Sequence, residues 1–483
     1  MSNQKPLWST TTTISSHDKL LSDIECDVLV IGGGMAGILT AYFLSQNNVN
    51  TVLVEAASIC SGQTAKTTAK ITSQHGACYQ QIEKKFSTSV ARTYANATEK
   101  AIDEFDRLIF DNRIECDFVR LPSYLYSLKS TDTINKEFEF TRRCSINAEL
   151  TTRTELPFSV KLALRYQNQA QFNPYPFISA LCDYISIFEN TRVKRVEGNI
   201  AFCDNAKIKA KKIVFATHYP IVNFPGMYFT RMHQSRSYVV AVKNAPALKS
   251  MYYCVDKGGL SFRSFRDYLL LSGCSHRTGE KCTEHDPYEH LLKQAREFYP
   301  QAFLCNNFSA QDCMSPDHLP YAGLYAESRP DWYVLTGFSK WGMTDSILGA
   351  KLVSDLVLGN KNPLEKIMCP SRFNLSTVKP VLNEVGHSIK GLSKSAFRIP
   401  FYSLTDIKRG EAKIVMYGSH RCGVYRSDEG EIFAVSASCP HLGCALSWNA
   451  NEKSWDCPCH GSRFSYTGEL IDNPAQISLK RYT

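Results

Sequence analysis

The sequence predicts an α/β unit with a parallel sheet, an antiparallel sheet joined to it, and a small all-β unit at the C-terminal end. Three observations predict this class. A glycine-rich turn at 32–37 lies between an apolar, β-branched run and a helical run, as in the strand–turn–helix units of parallel sheets. Short alternating runs fill 237–272, which indicates antiparallel strands. Cysteine and histidine concentrate at 439–462, which is typical of a small metal-holding domain.

Length and composition bound the functional class. The chain has 483 residues, enough for two or three domains, and is 43% apolar and 21% charged, as soluble globular proteins are. Its net charge of +9 comes from dispersed basic residues, so we expect no nucleic-acid partner. The N-terminal segment is polar through Ser9–Ser16, and no apolar run reaches the ~18 residues of a membrane span. We therefore expect no transmembrane segment and a cytoplasmic location.

The chain contains 18 cysteines, a high count. In a long chain without a signal peptide, cysteines are more often reduced thiols or cofactor ligands than a disulfide framework. Outside the C-terminal Cys/His stretch the cysteines are scattered from Cys26 to Cys422, and none of them forms a Cys-x-x-Cys pair. We therefore predict a single metal cluster.

The first structural unit is a strand, a glycine turn, a helix and a second strand. Asp27–Ile31 is a short apolar run typical of a buried parallel strand. The glycine turn follows at once, and the pattern of Ile38–Ser45 predicts a helix. A second apolar run, Thr51–Val54, ends at Glu55. This order predicts a Rossmann-like dinucleotide-binding unit.

The turn residues explain why this unit would bind a dinucleotide. Gly32, Gly34 and Gly37 permit a tight turn and a close approach of the backbone to a pyrophosphate, and the helix N terminus supplies N–H groups. Glu55 lies eighteen residues after Gly37 and can accept hydrogen bonds from a ribose.

Four residues near the C terminus have the spacing of an iron–sulfur ligand set. Cys439 and His441 are two residues apart, Cys457 and His460 are three apart, and fifteen residues separate the two pairs. Two loops that each offer one thiolate and one imidazole suit a 2Fe–2S cluster with two Cys on one iron and two His on the other. A zinc site is the alternative, because Cys and His loops also bind zinc.

Residues 396–483 resemble a Rieske domain, and the resemblance continues beyond the ligands in Arg463-Phe464, Gly468 and Asn473-Pro474-Ala475. It implies a disulfide between Cys444 and Cys459, which occupy the positions that link the two cluster loops in Rieske proteins of the cytochrome bc type. Ser462 matches a serine of the highest-potential members, but Phe464 stands where they carry a tyrosine. One hydrogen bond to sulfur is therefore missing, and we predict a potential below the respiratory Rieske range.

The stretch Ser61–Lys70 follows Glu55 as a small polar loop. It resembles the second phosphate- and flavin-contacting loop of FAD-dependent oxidoreductases of the glycine oxidase, sarcosine oxidase and D-amino-acid oxidase superfamily. The alternative is an ordinary helix entry capped by Ser and Thr. Later segments match the superfamily too: a strand at Val193–Val196, a strand ending at Ala216-Thr217, and Ser315–Gly323 with its Asp-x-x-Pro-x-x-Gly pattern.

The superfamily resemblance also implies that Gly337 to Thr344 forms a glycine turn feeding a helix, whose N terminus would stabilise negative charge at the pyrimidine edge of the flavin. With the turn glycines and Glu55, it assigns these residues to FAD binding: Ser61, Thr64, Thr67, Val193, Ala216, Thr217, Gly337, Gly342, Met343 and Thr344.

The antiparallel region would form a substrate domain over the flavin, as in that superfamily. Arg231, Tyr238 and Arg263 fall in or beside it and are candidate substrate-contacting residues, since Arg offers a bidentate fork to a carboxylate. Lys340 is a further candidate near the isoalloxazine. Structural arginines at a surface or sheet edge, and a solvated loop lysine, are the alternatives.

The resemblances together cover nearly the whole chain. The implied architecture is a glycine oxidase-like α/β FAD-binding domain with an antiparallel-sheet substrate domain, followed by a small all-β Rieske domain. The boundaries that we predict are an extension at 1–24; an oxidoreductase domain at 25–372, with FAD-binding parts at 25–80, 150–225 and 312–372 and substrate-domain parts at 81–149 and 226–311; a linker at 373–395; and the Rieske domain at 396–483.

The implied activity is FAD-dependent oxidation of a small amine, an amino acid or a related organic substrate, with one-electron transfer between FAD and a Rieske 2Fe–2S cluster. One alternative is a reductase in which the cluster feeds electrons to FAD, and another is a redox-sensing or electron-transfer module without turnover. Each implies an external electron donor or acceptor. Because the linker is only about twenty residues, we expect the cluster loops, with His441 and His460, to dock on the FAD domain.

Overall fold

The computed structural model describes residues 6–372, 386, 404–417 and 420–482. The predicted linker at 373–395, apart from Gly386, and the predicted start of the Rieske domain at 396 lie outside these residues. Helices and strands are numbered in chain order. The helices are α1 (Met35–Ser45), α2 (Tyr79–Lys85), α3 (Thr88–Asp111), α4 (Asp132–Arg143), α5 (Pro174–Cys182), α6 (Pro287–Phe298), α7 (Gly342–Leu358) and α8 (Glu365–Met368).

The first sheet has eight strands and belongs to the nucleotide-binding part of the chain. Its main path is β16 (Tyr321–Ala326), β17 (Arg329–Thr336), β10 (Lys207–Phe215), β1 (Ile24–Ile31), β2 (Thr51–Val54) and β7 (Ser186–Phe188), with β8 (Arg195–Glu197) and β9 (Ile200–Phe202) beside β10. The pairs from β17 to β7 are parallel. All four residues of β2 are buried, which explains why its sequence is continuously apolar rather than alternating.

The second sheet has nine strands. They are β15 (Phe303–Met314), β11 (His233–Lys243), β14 (Tyr268–Arg277), β13 (Ser261–Phe265), β12 (Met251–Cys254), β4 (Val119–Ser127), β6 (Leu162–Gln171) and β3 (Lys70–Ile71), with β5 (Ala148–Thr151) on β6. The alternating runs predicted within 237–272 correspond to strands β11, β13 and β14 of this sheet, and β11 pairs with β14 antiparallel.

Two members of this sheet correct the sequence-based assignment. The pattern of residues 81–150 predicts helical and mixed structure and does not reveal β4, and β6 lies within 150–225, which was assigned to the FAD-binding part; both are paired strands of the second sheet. Pro122 sits in β4 where the register shifts between Leu121 and Ser123, the kind of irregularity to which a strand proline is confined. The last five residues of β4 are all buried, so the strand lacks a period-two pattern.

Two predicted boundaries also move. The sequence from Phe177 to Ser186 predicts a helix. The observed helix, α5, begins at Pro174, because the Asn173 side chain accepts from Tyr175 N at 3.2 Å and proline occupies its first turn, and it ends at Cys182. The strand expected around Val193 is shorter and begins at Arg195.

The C-terminal part is all-β. It has a three-stranded sheet of β18 (Ala412–Tyr417), β19 (His420–Arg426) and β20 (Ile432–Ser436), and a four-stranded sheet of β21 (Ser447–Asn449), β22 (Ser454–Asp456), β23 (Arg463–Ser465) and β24 (Leu470–Asp472). The core beside this four-stranded sheet contains Trp455, Phe464 and the Cys/His-loop cysteines. Within the described residues, no helix combines the length and apolarity that crossing a bilayer requires.

Candidate functional site

The glycine turn after β1 leaves no room for side chains on one side and opens into a cavity on the other. Gly32 has φ +114°, and a Cβ there would lie 2.5 Å from the Ala216 carbonyl oxygen. A Cβ on Gly37 would lie 1.9 Å from the Gly32 carbonyl oxygen. At Gly34, a Cβ would meet only Thr64 Oγ1, at 3.2 Å. Gly34 therefore borders open space at the N terminus of α1, which fits a pyrophosphate.

The cavity has a volume of about 470 Å³. Most residues assigned to FAD binding by the sequence line it: Gly32, Gly34, Glu55, Ser61, Thr64, Thr67, Val193, Ala216, Thr217, Gly337, Gly342 and Met343. Gly37 and Thr344 are not among the lining residues. Gly37 allows the turn to pack against α1, and Thr344 bonds to the Thr72 backbone, donating to its oxygen at 2.8 Å.

Glu55 lines the cavity and also holds the turn. Its carboxylate accepts hydrogen bonds from Gly33 N at 2.7 Å and from Ala57 N at 2.9 Å. Each oxygen keeps a further lone pair, so the ribose contact that the sequence predicts stays compatible with this geometry.

Sequence reasoning missed several residues of the cavity. Two of them are Lys66 and His218. Burial lowers the pKa of Lys66, and the nearby Asp472 carboxylate partly opposes this shift. Burial also lowers the pKa of His218, to about 4. Part of the wall comes from the C-terminal domain, through Leu470, Ile471, Asp472, Asn473 and Gln476. No local pattern in the sequence connects that segment to a cavity some 400 residues earlier in the chain.

The four predicted cluster ligands meet at one place. His441 Nδ1 lies 3.3 Å from His460 Nδ1, and the Cys439 and Cys457 thiols are in hydrogen-bond contact. Both cysteines are 1% exposed. Two sulfurs on one side and two imidazole nitrogens on the other form a donor set that fits a 2Fe–2S cluster with mixed ligation.

Two neighbouring features support that donor set. Cys444 and Cys459 form a disulfide, and both of its sulfurs lie within 4.8 Å of Cys457 Sγ, so the disulfide joins the two cluster loops. Asn223 Oδ1 lies 2.8 Å from His441 Nε2. With the imidazole donating through Nε2–H, Nδ1 keeps its lone pair for a metal.

The C-terminal domain docks on the FAD domain at the cluster loops, as the short linker predicts. Besides the Asn223 contact, the Phe229 ring meets His441 and His460 edge-on, with centroid distances of 6.1 and 5.7 Å. Gln234 Nε2 donates to the backbone oxygens of His460 and Asn473 at 2.8 and 2.9 Å.

A buried charge network crosses the same interface. Arg236, on β11, is fully buried and lies 3.0 Å from Glu452 of the C-terminal domain. Arg463 bonds to Glu452 at 3.4 Å and to Asp472 at 2.9 Å, and Asp472 accepts from Gln63 Nε2 at 3.0 Å. Burial alone would raise the pKa of Glu452, but the two guanidinium groups lower it to about 2.

Only one of the four candidate catalytic residues reaches the cavity. Lys340 lines it, and its Nζ lies 2.5 Å from Ser237 Oγ, 3.2 Å from Ser275 Oγ and 3.6 Å from Asp312 Oδ2. Burial raises the pKa of Asp312, a shift that Lys340 opposes. The cavity lining thus presents an ammonium beside a carboxyl, and two hydroxyls outside the lining also contact the ammonium.

The other three candidates are not among the lining residues. Arg231 donates to the carbonyl oxygens of Pro370 and Gly226 at 2.5 and 2.6 Å. Arg263 is fully buried and donates to the carbonyl oxygens of Thr68, Ala69 and Phe172. Both guanidinium groups are held by backbone oxygens, which favours the structural alternative.

Tyr238, the third of these, lies at the domain interface instead. Its ring stacks on His276 with centroids 5.7 Å apart, and its hydroxyl accepts from Asn449 Nδ2 at 3.4 Å.

Comparison with known proteins identifies both parts. Residues 27–356 match the family model of FAD dependent oxidoreductases, and residues 398–483 match the Rieske [2Fe-2S] domain. The chain is 36% identical over 493 residues to YhfW of Bacillus subtilis (strain 168), described as a putative Rieske 2Fe-2S iron-sulfur protein, a match that covers 98% of this chain and 96% of that one. The cytochrome b6-f complex iron-sulfur subunit of Chlorobaculum thiosulfatiphilum is 31% identical over 108 residues, 22% of this chain and 59% of that one.

The fold of the first part has solved counterparts. Glycine oxidase from Geobacillus kaustophilus superposes with a TM-score of 0.60 at 18% identity, covering 72% of this chain and 99% of that one. L-proline dehydrogenase from P.horikoshii superposes with a TM-score of 0.59 at 16% identity, covering 73% and 98%. The chain belongs to the FAD dependent oxidoreductase family, with a C-terminal Rieske domain, and its cofactors are FAD and a 2Fe–2S cluster.

Proposed function

We propose that the protein dehydrogenates a small amine or amino acid and that electrons pass singly between its FAD and its Rieske cluster within the same chain. FAD supplies two-electron acceptance from a C–N bond, and the cluster supplies one-electron transfer that needs no oxygen. We propose Cys439, His441, Cys457 and His460 as the cluster ligands, and the cavity-lining residues named above as the FAD site.

One observation carries this proposal: the Rieske domain forms part of the flavin cavity wall. Leu470 to Asn473 and Gln476 line the cavity, and on the same face of that domain His441 bonds to Asn223. Asn223 lies two residues beyond Ile221, which lines the cavity. Docking of this kind holds the two centres together whatever the protein concentration.

The Lys340–Asp312 pair in the cavity lining supports a zwitterionic or amine substrate. The Lys340 ammonium would attract a substrate carboxylate, and the Asp312 carboxyl beside it would receive an amine. These two groups pair with one another at 3.6 Å, so a substrate would separate them and take both partners. The structural neighbours act on substrates of this class according to their names, glycine oxidase and L-proline dehydrogenase.

To test the proposal, the protein that contains both FAD and the 2Fe–2S cluster is mixed anaerobically with a panel of amines and imino acids. We expect bleaching of the flavin absorbance by at least one amine, followed by the EPR signal of a reduced Rieske cluster. Asn223→Leu should delay the cluster signal relative to bleaching, whereas the matched variant Asn47→Leu, which replaces an exposed asparagine, should not.

Three outcomes would redirect the proposal. Bleaching with no cluster signal would remove the cluster from the electron path. Reoxidation of the reduced protein only by an organic acceptor would favour the reductase direction, in which the cluster feeds FAD. Failure of every amine and every organic acceptor would favour an electron-transfer or sensing module.

A further inference from the structure

Two cysteines outside the cluster are in contact with one another in the substrate domain. Cys274 lies on β14, and Cys282 lies in the segment 278–286 that follows this strand. Cys282 Sγ lies 3.7 Å from the Cys274 carbonyl oxygen, and the two sulfurs are in hydrogen-bond contact with each other. Both side chains are half-buried, so a small reagent can reach them.

The contact makes the two thiols unequal. The Cys274 thiol donates to the Cys282 sulfur, which lowers the pKa of Cys282 and raises the pKa of Cys274. His276 also hydrogen bonds to Cys282 and lowers its pKa further. A thiolate with a thiol next to it is the arrangement of an attacking and a resolving cysteine in thiol–disulfide exchange.

The end of β14 and the segment that carries Cys282 both contact the C-terminal domain. Arg277 donates to the carbonyl oxygens of Pro458 and Cys459 at 3.3 and 3.2 Å. Gly279 packs so closely that a Cβ there would lie 2.4 Å from Pro458 N. The His285 carbonyl oxygen accepts from Asn451 Nδ2 at 3.1 Å. The thiol pair therefore lies next to the contacts that hold the Rieske domain against the substrate domain. We call residues 278–286 the clamp segment.

We propose that Cys274 and Cys282 are a redox-active dithiol that reacts with low-molecular-weight disulfides and, once oxidised, ties the clamp segment to β14. The Cys282 thiolate attacks one sulfur of the small disulfide, whose S–S bond breaks and releases one thiolate. The Cys274 thiol then loses its proton and attacks Cys282 Sγ, releasing the second small thiol. Two protein thiols are oxidised to one disulfide, and one small disulfide is reduced to two thiols. This inference does not depend on the substrate of the flavin.

The test uses the full-length protein loaded with FAD and cluster, treated anaerobically with oxidised glutathione as the small disulfide. Cleavage after Arg and Lys without reduction separates the peptides 267–277 and 282–293, each of which contains one cysteine of the pair. We expect these two peptides to be recovered joined and lighter by two hydrogens. Cys282→Ser should abolish the joined species, and Cys305→Ser, at a half-buried cysteine of the same sheet, should leave it.

Two results would overturn the proposal. One is glutathione retained on Cys282 with no joined peptide, and the other is oxidation that spreads equally over the remaining half-buried cysteines.

A second measurement separates reactivity from folding. Cys274→Ala removes the thiol that donates to Cys282, so alkylation of Cys282 by iodoacetamide at neutral pH should slow on the order of tenfold. The FAD content and the cluster EPR signal report that the fold is retained. An unchanged alkylation rate in a folded Cys274→Ala protein would show that the pair is not coupled and would refute the assignment.

Discussion

The proposed cluster ligands come from one stretch, 439–460, whereas the walls of the proposed flavin cavity come from segments spread between residues 31 and 476. The cluster site consists of two loops joined by the Cys444–Cys459 disulfide. The flavin cavity is closed on one side by a segment of a different domain. A site built from two nearby loops is visible as spacing in the sequence, and a site built from distant segments is visible only in part.

The first prediction asks whether the cluster site is as self-contained as this comparison implies. Cys457→Ser should abolish the rhombic EPR signal of the reduced protein, because the hydroxyl replaces one of two thiolates on an iron. FAD should stay bound, since Cys457 does not line the flavin cavity, while turnover with a one-electron acceptor should be lost. The control is Cys422→Ser, at a buried cysteine on β19 of the same domain. A normal signal in Cys457→Ser would contradict the ligand assignment.

The second prediction tests the glycine turn at 32–37, the part of the proposed flavin site that was predicted from neighbouring residues. In Gly34→Val the side chain would extend from the turn into the cavity, where a pyrophosphate approaches the backbone. The purified protein should lack FAD, by absorbance at the flavin bands, and retain its cluster EPR signal. Ser45→Val, at the far end of α1, should retain FAD. An unchanged flavin content in Gly34→Val would mean that the turn had been misinterpreted.

The third prediction concerns the interface that joins the two sites. Arg236→Met leaves Glu452 buried with Arg463 as its remaining cation. We expect the free energy of unfolding to fall by about 2–3 kcal/mol, which is less than the ~3–5 kcal/mol lost when a buried charge keeps no partner. Denaturant unfolding followed at the cluster absorbance measures it. Arg107→Met, which removes the ion pairs of an exposed arginine with Glu104 and Asp111 on α3, should cost about 0–1 kcal/mol. Equal losses in the two variants would argue against a role for the network in docking.

The same network makes the free energy of unfolding decrease at acidic pH. The pKa of Glu452 is lowered to about 2, since Arg236 and Arg463 outweigh the effect of burial. A carboxyl with a depressed folded pKa contributes stability that is complete above the unfolded value of ~4.3 and is lost as the pH falls towards 2. Glu452→Gln should therefore flatten the decline in unfolding free energy over this interval. A decline as steep as in the unchanged protein would exclude Glu452 as its source.

The smallest expected effect is on the cluster potential. Phe464 is fully buried beside the cluster loops, and the Ser462 hydroxyl hydrogen bonds to Cys439. In Phe464→Tyr a second hydroxyl should stabilise the negative charge of the reduced cluster, so the reduction potential should rise. Redox titration monitored by EPR measures the change, with Phe464→Leu as a variant that lacks the hydroxyl. A lower or unchanged reduction potential in Phe464→Tyr would contradict the proposed hydrogen bond from the tyrosine hydroxyl to the cluster site.

The sequence by itself determined the elements whose signal lies in neighbouring residues. The strand, turn, helix and strand from Ile24 to Val54 follow from apolar runs and glycine spacing, because buried parallel strands and tight turns restrict residue type locally. The Cys/His spacing of the cluster loops is local in the same sense. It was the resemblance to Rieske domains, rather than the spacing, that separated the proposed ligands Cys439 and Cys457 from Cys444 and Cys459.

Only the tertiary structure decided which distant segments meet. It placed β4 and β6 in the second sheet, and it brought Asp472 and Asn473 to the wall of a cavity whose glycine turn lies more than 400 residues earlier. It also separated Lys340, which lines the cavity, from Arg231 and Arg263, whose guanidinium groups are held by backbone carbonyl oxygens. Residue type is the same for a catalytic and a structural arginine. The difference lies in which carbonyl oxygens or cavities surround the side chain, and packing between distant segments creates those surroundings.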